Sequence, residues 1–122
     1  MPKPVLVSVV DDDESVRESL PDLLREFGFS AEAFSSAEAF LRSRHLPQTK
    51  CLILDVAMPG MSGPGLKHEL ERQKRSIPII FITAHADVLT RSNEVKGAAA
   101  CLVKPFSDTA LLDALRKVLR KT

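Results

Sequence analysis

Acidic, hydroxyl and cationic side chains follow four apolar segments of this 122-residue sequence, each at the point where a segment ends. In chain order these residues are Asp11, Asp12 and Asp13, then Asp55, Thr83 and Lys104. Carboxylates brought into one cleft repel each other unless a cation is shared or a proton is retained. A small set of oxygen ligands suits Mg²⁺, which keeps several waters and accepts phosphate oxygens. The set therefore predicts a magnesium site beside a reactive carboxylate.

Phosphoryl transfer to an aspartate is the reaction that these residue types fit best. Its transition state spreads negative charge over the phosphoryl oxygens, which a divalent cation, an ammonium and a hydroxyl donor can each stabilise. Asp55 is the predicted nucleophile, Lys104 the fixed cation and Thr83 the hydroxyl donor. Each of these residues alone is more often a turn, strand or surface residue. Their occurrence together at four strand ends favours the chemical interpretation.

Five apolar segments of strand length position these residues. They span residues 5–10, 29–34, 51–54, 79–83 and 100–103. The first, third and fourth are nearly continuous in Val, Ile and Leu, which is typical of strands covered by helices on both faces. The second alternates and is predicted to be an edge strand. Because helical patterns separate the segments, we predict a doubly wound α/β fold with a parallel sheet and ligands at the carboxyl ends of the strands.

Capping residues set the expected boundaries of the first two helices. The apolar face of the first helix begins at Val16, and the helix stops at Gly28. Pro21 lies inside this pattern, so the helix is expected to bend there or to start later. Ser35 and Glu38 form a capping-box pattern, which predicts the start of the second helix.

The later helices are marked less evenly. Pro64 lies near the start of the third helix. Ser107 is the predicted cap of the last helix, whose Leu and Val residues form a wide apolar stripe. The segment 87–96 should be a helix by its position, but it offers few apolar residues. We expect it to be the least stable element.

Composition places the chain among ordinary soluble globular domains. Hydrophobic residues make up 44% and charged residues 27%, so one folded domain over residues 1–122 is expected. A net charge of +1 without a basic stripe argues against direct nucleic-acid binding. No apolar run is long enough to cross a membrane and no signal peptide is evident, so we expect a cytoplasmic location. Cys51 and Cys101 lie in apolar segments and are expected to carry free thiols.

Over nearly its whole length the chain resembles a response-regulator receiver domain of two-component signalling, a CheY-like fold family. The motifs that carry the resemblance are VVDDD at 9–13, LILDVAMPGMSG at 52–63, FITA at 81–84 and VKPF at 103–106. The resemblance implies a five-stranded sheet of order 2-1-3-4-5 with helices on both faces. It also implies a phosphorelay receiver that changes conformation on phosphorylation rather than an enzyme that turns over a separate substrate.

The same resemblance assigns roles to individual residues. It implies that Asp11, Asp12, Asp55 and the backbone carbonyl of Ala57 hold Mg²⁺, and that a histidine kinase or phosphotransfer protein phosphorylates Asp55. It implies that Lys104 and Thr83 bind the phosphoryl group, with Thr83 signalling its presence. The Lys104–Pro105 peptide bond is expected to be cis.

The resemblance also implies partners. The wording DVAMPGMSG and IPIIFITAHAD is most similar to receivers of the FixJ and NarL type, which precede a helix-turn-helix output domain. No output domain is expected within this chain, so control of an output domain or an effector protein is the expectation. A homodimer through the predicted helix at 87–96, the fifth strand and the last helix is plausible. No membrane contact is expected.

Two departures from the family pattern concern how phosphorylation is transmitted. Cys101 stands where the family usually has an aromatic residue, and the interval from Thr83 to Lys104 is one residue shorter. We hypothesise that Thr83 still follows phosphorylation and that reordering of the weak predicted helix carries the output. A second hypothesis is that small Ala57 admits water to the phosphoryl group, while His85 orders or blocks that water.

Two alternative functions stay open at this point. The same strand order can hold a flavin, although the chain has no Trp or Tyr and its cleft is acidic. A magnesium-dependent phosphatase that works through an aspartyl phosphate would usually have a second carboxylate at position 57, which is Ala. A P-loop enzyme is excluded because the GxxxxGK motif is missing.

Overall fold

Five parallel strands form one sheet in the computed structural model, which describes residues 4–84 and 98–120. The strands are β1 (Leu6–Val10), β2 (Ser30–Phe34), β3 (Thr49–Asp55), β4 (Ile79–Thr83) and β5 (Ala100–Val103). Their order is β2-β1-β3-β4-β5, and all four neighbouring pairs are parallel. The predicted fold, strand order and edge position of β2 are confirmed. Strand β3 is longer than the predicted 51–54, so Asp55 is its last residue rather than the residue after it.

Helices cover both faces of the sheet. They are α1 (Glu14–Glu26), α2 (Ala37–Leu41), α3 (Gly63–Arg72) and α4 (Asp108–Arg120), with a 3₁₀ turn at Leu46–Gln48. On one face, Leu24 of α1 and Leu115 of α4 pack with Ile53 in a buried cluster. On the other, Phe40 of α2 and Leu66 of α3 belong to a second cluster. Burial of these apolar side chains at about 25 cal/mol per Å² fixes the sheet between the helices.

Two expected helix starts are wrong. Helix α1 starts early, at Glu14 with Asp13 as its N-cap, and continues through the buried Pro21. Asp13 provides a capping carboxylate two residues before Ser15, which the apolar pattern alone did not weigh. The N-cap of α2 is Ser36 rather than Ser35, because the Ser36 side chain accepts a hydrogen bond from the backbone N–H of Ala39 at 3.1 Å.

The remaining boundaries agree with the sequence. Helix α1 ends before Gly28, which has φ +96°, and Pro64 lies in the first turn of α3. The Ser107 hydroxyl accepts a hydrogen bond from the Ala110 N–H at 3.0 Å, as a cap of α4 should. The predicted helix at 87–96 lies outside the described residues. In the parts of the chain that the structure describes, no helix has the length and apolar character needed to cross a membrane.

Candidate functional site

The residues singled out in the sequence gather at one edge of the sheet. Asp11 and Asp12 follow β1, Asp55 ends β3, Thr83 ends β4 and Lys104 follows β5. Because all five strands are parallel, their carboxyl ends share this edge. The strand order reverses at β1, because β2 lies on one side of β1 and β3 on the other. Asp11 and Asp55 therefore lie at the ends of neighbouring strands.

Three carboxylates form the centre of the site. Asp11 is fully buried, Asp55 is 7% exposed, and Asp12 lies at the surface. One oxygen from each of the three lies within 4.8 Å of the other two. An all-oxygen set with an open side fits Mg²⁺, which binds few carboxylates and keeps water or phosphate in its other positions. The donor set therefore fits the ion expected from the sequence.

Lys104 supplies the positive charge of the site. Its Nζ donates a hydrogen bond of 2.9 Å to Oδ2 of Asp11 and lies 4.0 Å from Oδ2 of Asp55. Partial burial alone would lower the pKa of Lys104, but the hydrogen bond and the charges of Asp11 and Asp55 raise it above its usual value. Lys104 therefore stays charged and offsets part of the carboxylate repulsion. The Lys104–Pro105 peptide bond is cis, as expected.

The carboxyl group of Asp55 is held in an unfavourable environment for its charge. Burial, followed by the charge of Asp11, raises the pKa of Asp55 to about 7, although Lys104 and the backbone N–H of Ala57 oppose the shift. A group with a raised pKa in a cleft is typical of a functional site. A cation beside Asp55 and Asp11 would favour the ionised form, which is the nucleophilic one.

Thr83 and Ala57 lie next to this cluster. Thr83 is buried, and its carbonyl accepts a hydrogen bond from the Lys104 N–H at 2.7 Å, which ties the ends of β4 and β5 together. Ala57 is exposed and lies two residues beyond Asp55, in the loop of residues 56–62 that leads to α3. Thr83 and Ala57 are thus at the predicted edge; their roles toward a phosphoryl group and a metal stay predictions.

The third acidic residue after β1 has a structural role. The side chain of Asp13 accepts hydrogen bonds from the Ser15 N–H at 2.9 Å and the Ser15 hydroxyl at 2.7 Å. These bonds, the hydroxyl first, lower the pKa of Asp13. Asp13 therefore starts α1, while its own N–H donates to Oδ1 of Asp11 at 2.9 Å and orients that buried carboxylate.

Three residues around the site were not assigned to it from the sequence. Arg17 of α1 donates to the carbonyl oxygen of Asp11 at 3.0 Å. A Cβ on Gly63 would lie 2.3 Å from the carbonyl oxygen of Asp55, so only glycine lets α3 begin so close to β3. Glu38 accepts a hydrogen bond from the N–H of Met61, in the loop after Asp55. The glycine in MSG was a visible signal, whereas the other two depend on tertiary contacts.

The residues behind the transmission hypotheses are only partly described. Cys101 is half-buried and faces Phe81 across the β4–β5 pair. Burial raises the pKa of its thiol. Cys101 and Cys51 both carry free thiols, as expected. His85 and the predicted helix at 87–96 lie outside the described residues, so the hypotheses about output and phosphate lifetime stay predictions.

Comparison with known proteins points in one direction. A family model described as the response regulator receiver domain matches residues 7–116. Nodulation protein W of Bradyrhizobium diazoefficiens is 47% identical over 90% of this chain and 49% of its own length. The transcriptional regulatory protein FixJ of Rhizobium meliloti is 40% identical over 91% of this chain and 55% of its own. The chain thus spans about half the length of these curated relatives.

Solved structures agree in both sequence and shape. The crystal structure of FixJ-N has a TM-score of 0.85 and 38% identity, and the match covers 100% of this chain and 98% of that one. The low-resolution structure of the response regulator StyR has a TM-score of 0.87 and 49% identity, with 98% of this chain and 61% of that chain covered.

Proposed function

The chain belongs to the family of response regulator receiver domains, and from this premise we propose that Asp55 accepts the phosphoryl group. The observation that carries the proposal is the position of Asp55, which ends β3 beside the buried Asp11 with Nζ of Lys104 4.0 Å away. Asp12 and Asp13 are less suitable acceptors, since Asp12 lies at the surface and Asp13 is engaged as the N-cap of α1.

The proposed reaction is a displacement at phosphorus. A carboxylate oxygen of Asp55 attacks the phosphorus of a phosphohistidine, the P–N bond breaks, and its electron pair leaves with the imidazole nitrogen, which takes up a proton. The product is an acyl phosphate on Asp55. A bound Mg²⁺, held by Asp11, Asp12, Asp55 and the carbonyl of Ala57, would supply positive charge to the phosphoryl oxygens.

Lys104 and Thr83 complete the site in this proposal. Before reaction the Lys104 ammonium is hydrogen-bonded to Asp11 and lies 4.0 Å from Oδ2 of Asp55. It can turn toward a phosphoryl oxygen once the charge on Asp55 has grown. Thr83 ends the strand next to β3 and brings a hydroxyl donor to the same edge. A phosphoryl group would thus bind residues from β3, β4 and the turn after β5.

The proposed partners follow from the family. Receiver domains are phosphoacceptor switches of two-component systems, and several relatives are transcriptional regulatory proteins roughly twice the length of this chain. We propose that a sensor histidine kinase or phosphotransfer protein supplies the phosphoryl group and that the chain controls an output domain or effector. The same proposal includes a single receiver domain over residues 1–122, self-catalysed dephosphorylation, dimerisation and a cytoplasmic location. The flavin-binding and phosphatase alternatives are not favoured by the family assignment.

Mass spectrometry of the intact chain tests the assignment of Asp55. The native chain should gain one phosphoryl adduct with acetyl phosphate and Mg²⁺, and lose it in hydroxylamine, which cleaves acyl phosphates. Asp55→Asn should gain none. Asp22→Asn is the matched control, because the Asp22 side chain is 78% exposed on α1, and it should be phosphorylated like the native chain. An equal adduct on Asp55→Asn would contradict the proposal.

A further inference from the structure

Glu38 extends from α2 to the loop that follows Asp55. Its Oε2 accepts a hydrogen bond from the backbone N–H of Met61 at 3.3 Å, across 23 positions of sequence. The sequence pattern assigned Glu38 to a capping box, but Ser36 caps α2 through its own hydroxyl. The Glu38 carboxylate is therefore used for a tertiary contact rather than for its own helix.

The contacted loop carries the backbone carbonyl expected to bind Mg²⁺. Backbone hydrogen bonds fix its two ends: the Val56 N–H donates to the carbonyl oxygen of Ile82 at 3.0 Å, and the Gly63 N–H donates to that of Val56 at 3.0 Å. Between these ends lie residues 57–62, beginning with Ala57. The Glu38 contact at Met61 restrains this middle portion from outside the loop.

Gly60 permits the close approach of the Glu38 carboxylate. It has φ +74°, a conformation that favours glycine, and a Cβ at this position would lie 3.0 Å from Oε2 of Glu38. The turn at Gly60 and the carboxylate of Glu38 thus fit each other. An acceptor oxygen at the end of this side chain, in a carboxylate or an amide, can therefore hold the loop through the Met61 N–H.

We propose that Glu38 is a positioning residue for the magnesium site, acting through the loop of residues 56–62. The inference rests on the proposed function, since it takes the Ala57 carbonyl as a metal ligand. Glu38 is not itself among the proposed ligands, which are Asp11, Asp12, Asp55 and the carbonyl of Ala57. It limits the conformations of the loop, so that less conformational entropy is lost when the carbonyl of Ala57 binds.

Magnesium affinity of the unphosphorylated chain is the main test. The chain has no Trp or Tyr, so isothermal titration calorimetry is the suitable measurement. Loss of a residue that orients a metal ligand typically weakens binding by 10- to 100-fold, and we expect about tenfold for Glu38→Ala. Glu38→Gln keeps an acceptor oxygen and should stay within about twofold of the native affinity. Glu26→Ala, which removes an exposed carboxylate at the end of α1, should bind like the native chain.

These variants separate position from charge. If Glu38→Gln and Glu38→Ala lose the same affinity, the lost negative charge explains the effect and the positioning role is overturned. Unchanged affinity in Glu38→Ala also overturns it. If the native chain itself fails to bind Mg²⁺, the proposed function has failed rather than the inference about Glu38.

Amide hydrogen exchange gives a second readout that does not depend on the ion. In the metal-free chain, Glu38→Ala should speed exchange of the Met61 N–H several-fold, while the Val56 N–H, bonded to the Ile82 carbonyl, should keep its native protection. Glu38→Gln should restore protection at Met61. Equal acceleration at both amides would mean general destabilisation and would overturn the specific role, and unchanged exchange at Met61 would do so as well.

Discussion

The ammonium of Lys104 is hydrogen-bonded to Asp11, at 2.9 Å from Oδ2, and not to Asp55, whose Oδ2 is 4.0 Å away. The lysine therefore offsets the charge of the buried Asp11 carboxylate and makes no hydrogen bond to Asp55, the proposed nucleophile. Lys104 thus already offsets part of the negative charge of the carboxylates that would bind Mg²⁺. A Mg²⁺ ion bound there would therefore compete with Lys104 for the charge of Asp11, whereas on a phosphorylated chain the two cations would both be attracted to the added negative charge.

Replacing Lys104 should separate metal binding from phosphorylation. In Lys104→Met the ammonium no longer repels the ion, so Mg²⁺ should bind about tenfold more tightly, or ~1.4 kcal/mol. Phosphorylation by acetyl phosphate should slow by at least about tenfold, because a donor to the phosphoryl oxygens is lost. Calorimetry and time-resolved mass spectrometry measure the two effects. Lys50→Met is the control and should change neither, because Lys50 is exposed near the amino-terminal end of β3, the opposite end of the strand from Asp55. Weaker Mg²⁺ binding in Lys104→Met would contradict this account.

The raised pKa of Asp55 predicts a pH dependence of stability. As pH rises from about 4 to 7, the native chain without metal keeps a proton on Asp55 that the unfolded chain has lost, so the free energy of unfolding falls. Asp55→Asn removes this titration. The variant should gain roughly 2–4 kcal/mol over the native chain by pH 8 and nothing near pH 4.

Urea denaturation followed by circular dichroism measures this difference. Adding Mg²⁺ at pH 8 should recover much of the stability of the native chain but little of that of Asp55→Asn, because the ion binds ionised Asp55 in the folded state. Parallel curves for the two chains between pH 4 and 8 would show that burial and Asp11 do not raise the pKa of Asp55.

The sheet, and the gathering of the candidate site residues at the carboxyl ends of its strands, could be predicted from the sequence because their signals are local. Continuous apolar segments gave β1, β3 and β4, and the polar residue at the end of each strand needed only the parallel topology to be brought to one edge. The site geometry required more. That Asp13 caps α1 while Asp11 and Asp55 face each other depends on how the chain turns after Val10, which residue types alone do not specify.

The start of α2 and the role of Glu38 depend on contacts that residue spacing does not reveal. Ser35 and Ser36 are both capable caps, and only the folded chain shows that the Ser36 side chain accepts the hydrogen bond from the Ala39 N–H. Glu38 fitted a local capping pattern, but its partner, Met61, is 23 positions away. A capping box can be predicted from spacing, whereas a carboxylate shared with another loop becomes visible only in the folded chain.

Gly63 is predicted to be essential for the start of α3. A Cβ there would lie 2.3 Å from the carbonyl oxygen of Asp55 and 3.0 Å from a ring carbon of Phe81. Gly63→Ala should therefore destabilise the fold by about 2–3 kcal/mol, because backbone must move in a close-packed region. Gly65→Ala is the matched control in the same helix. Its Cβ would meet only side-chain atoms, at 3.2 and 3.3 Å, and alanine favours helix, so its stability should change by less than about 1 kcal/mol. Equal urea midpoints for both variants would disprove the steric argument.

The two thiols should differ in reactivity toward a disulfide reagent. Cys51 is fully buried in β3, and burial raises its thiol pKa to about 12, so almost no thiolate is present or accessible at pH 8. Cys101 is only half-buried in the edge strand β5, although burial raises its pKa as well. One thiol should react slowly in the folded chain, and the second only after unfolding in urea. Cys101→Ser should abolish the reaction of the folded chain, whereas Cys51→Ser should leave it unchanged. A folded Cys101→Ser chain that still reacts at the native rate would place the accessible thiol at Cys51 and contradict the burial of β3.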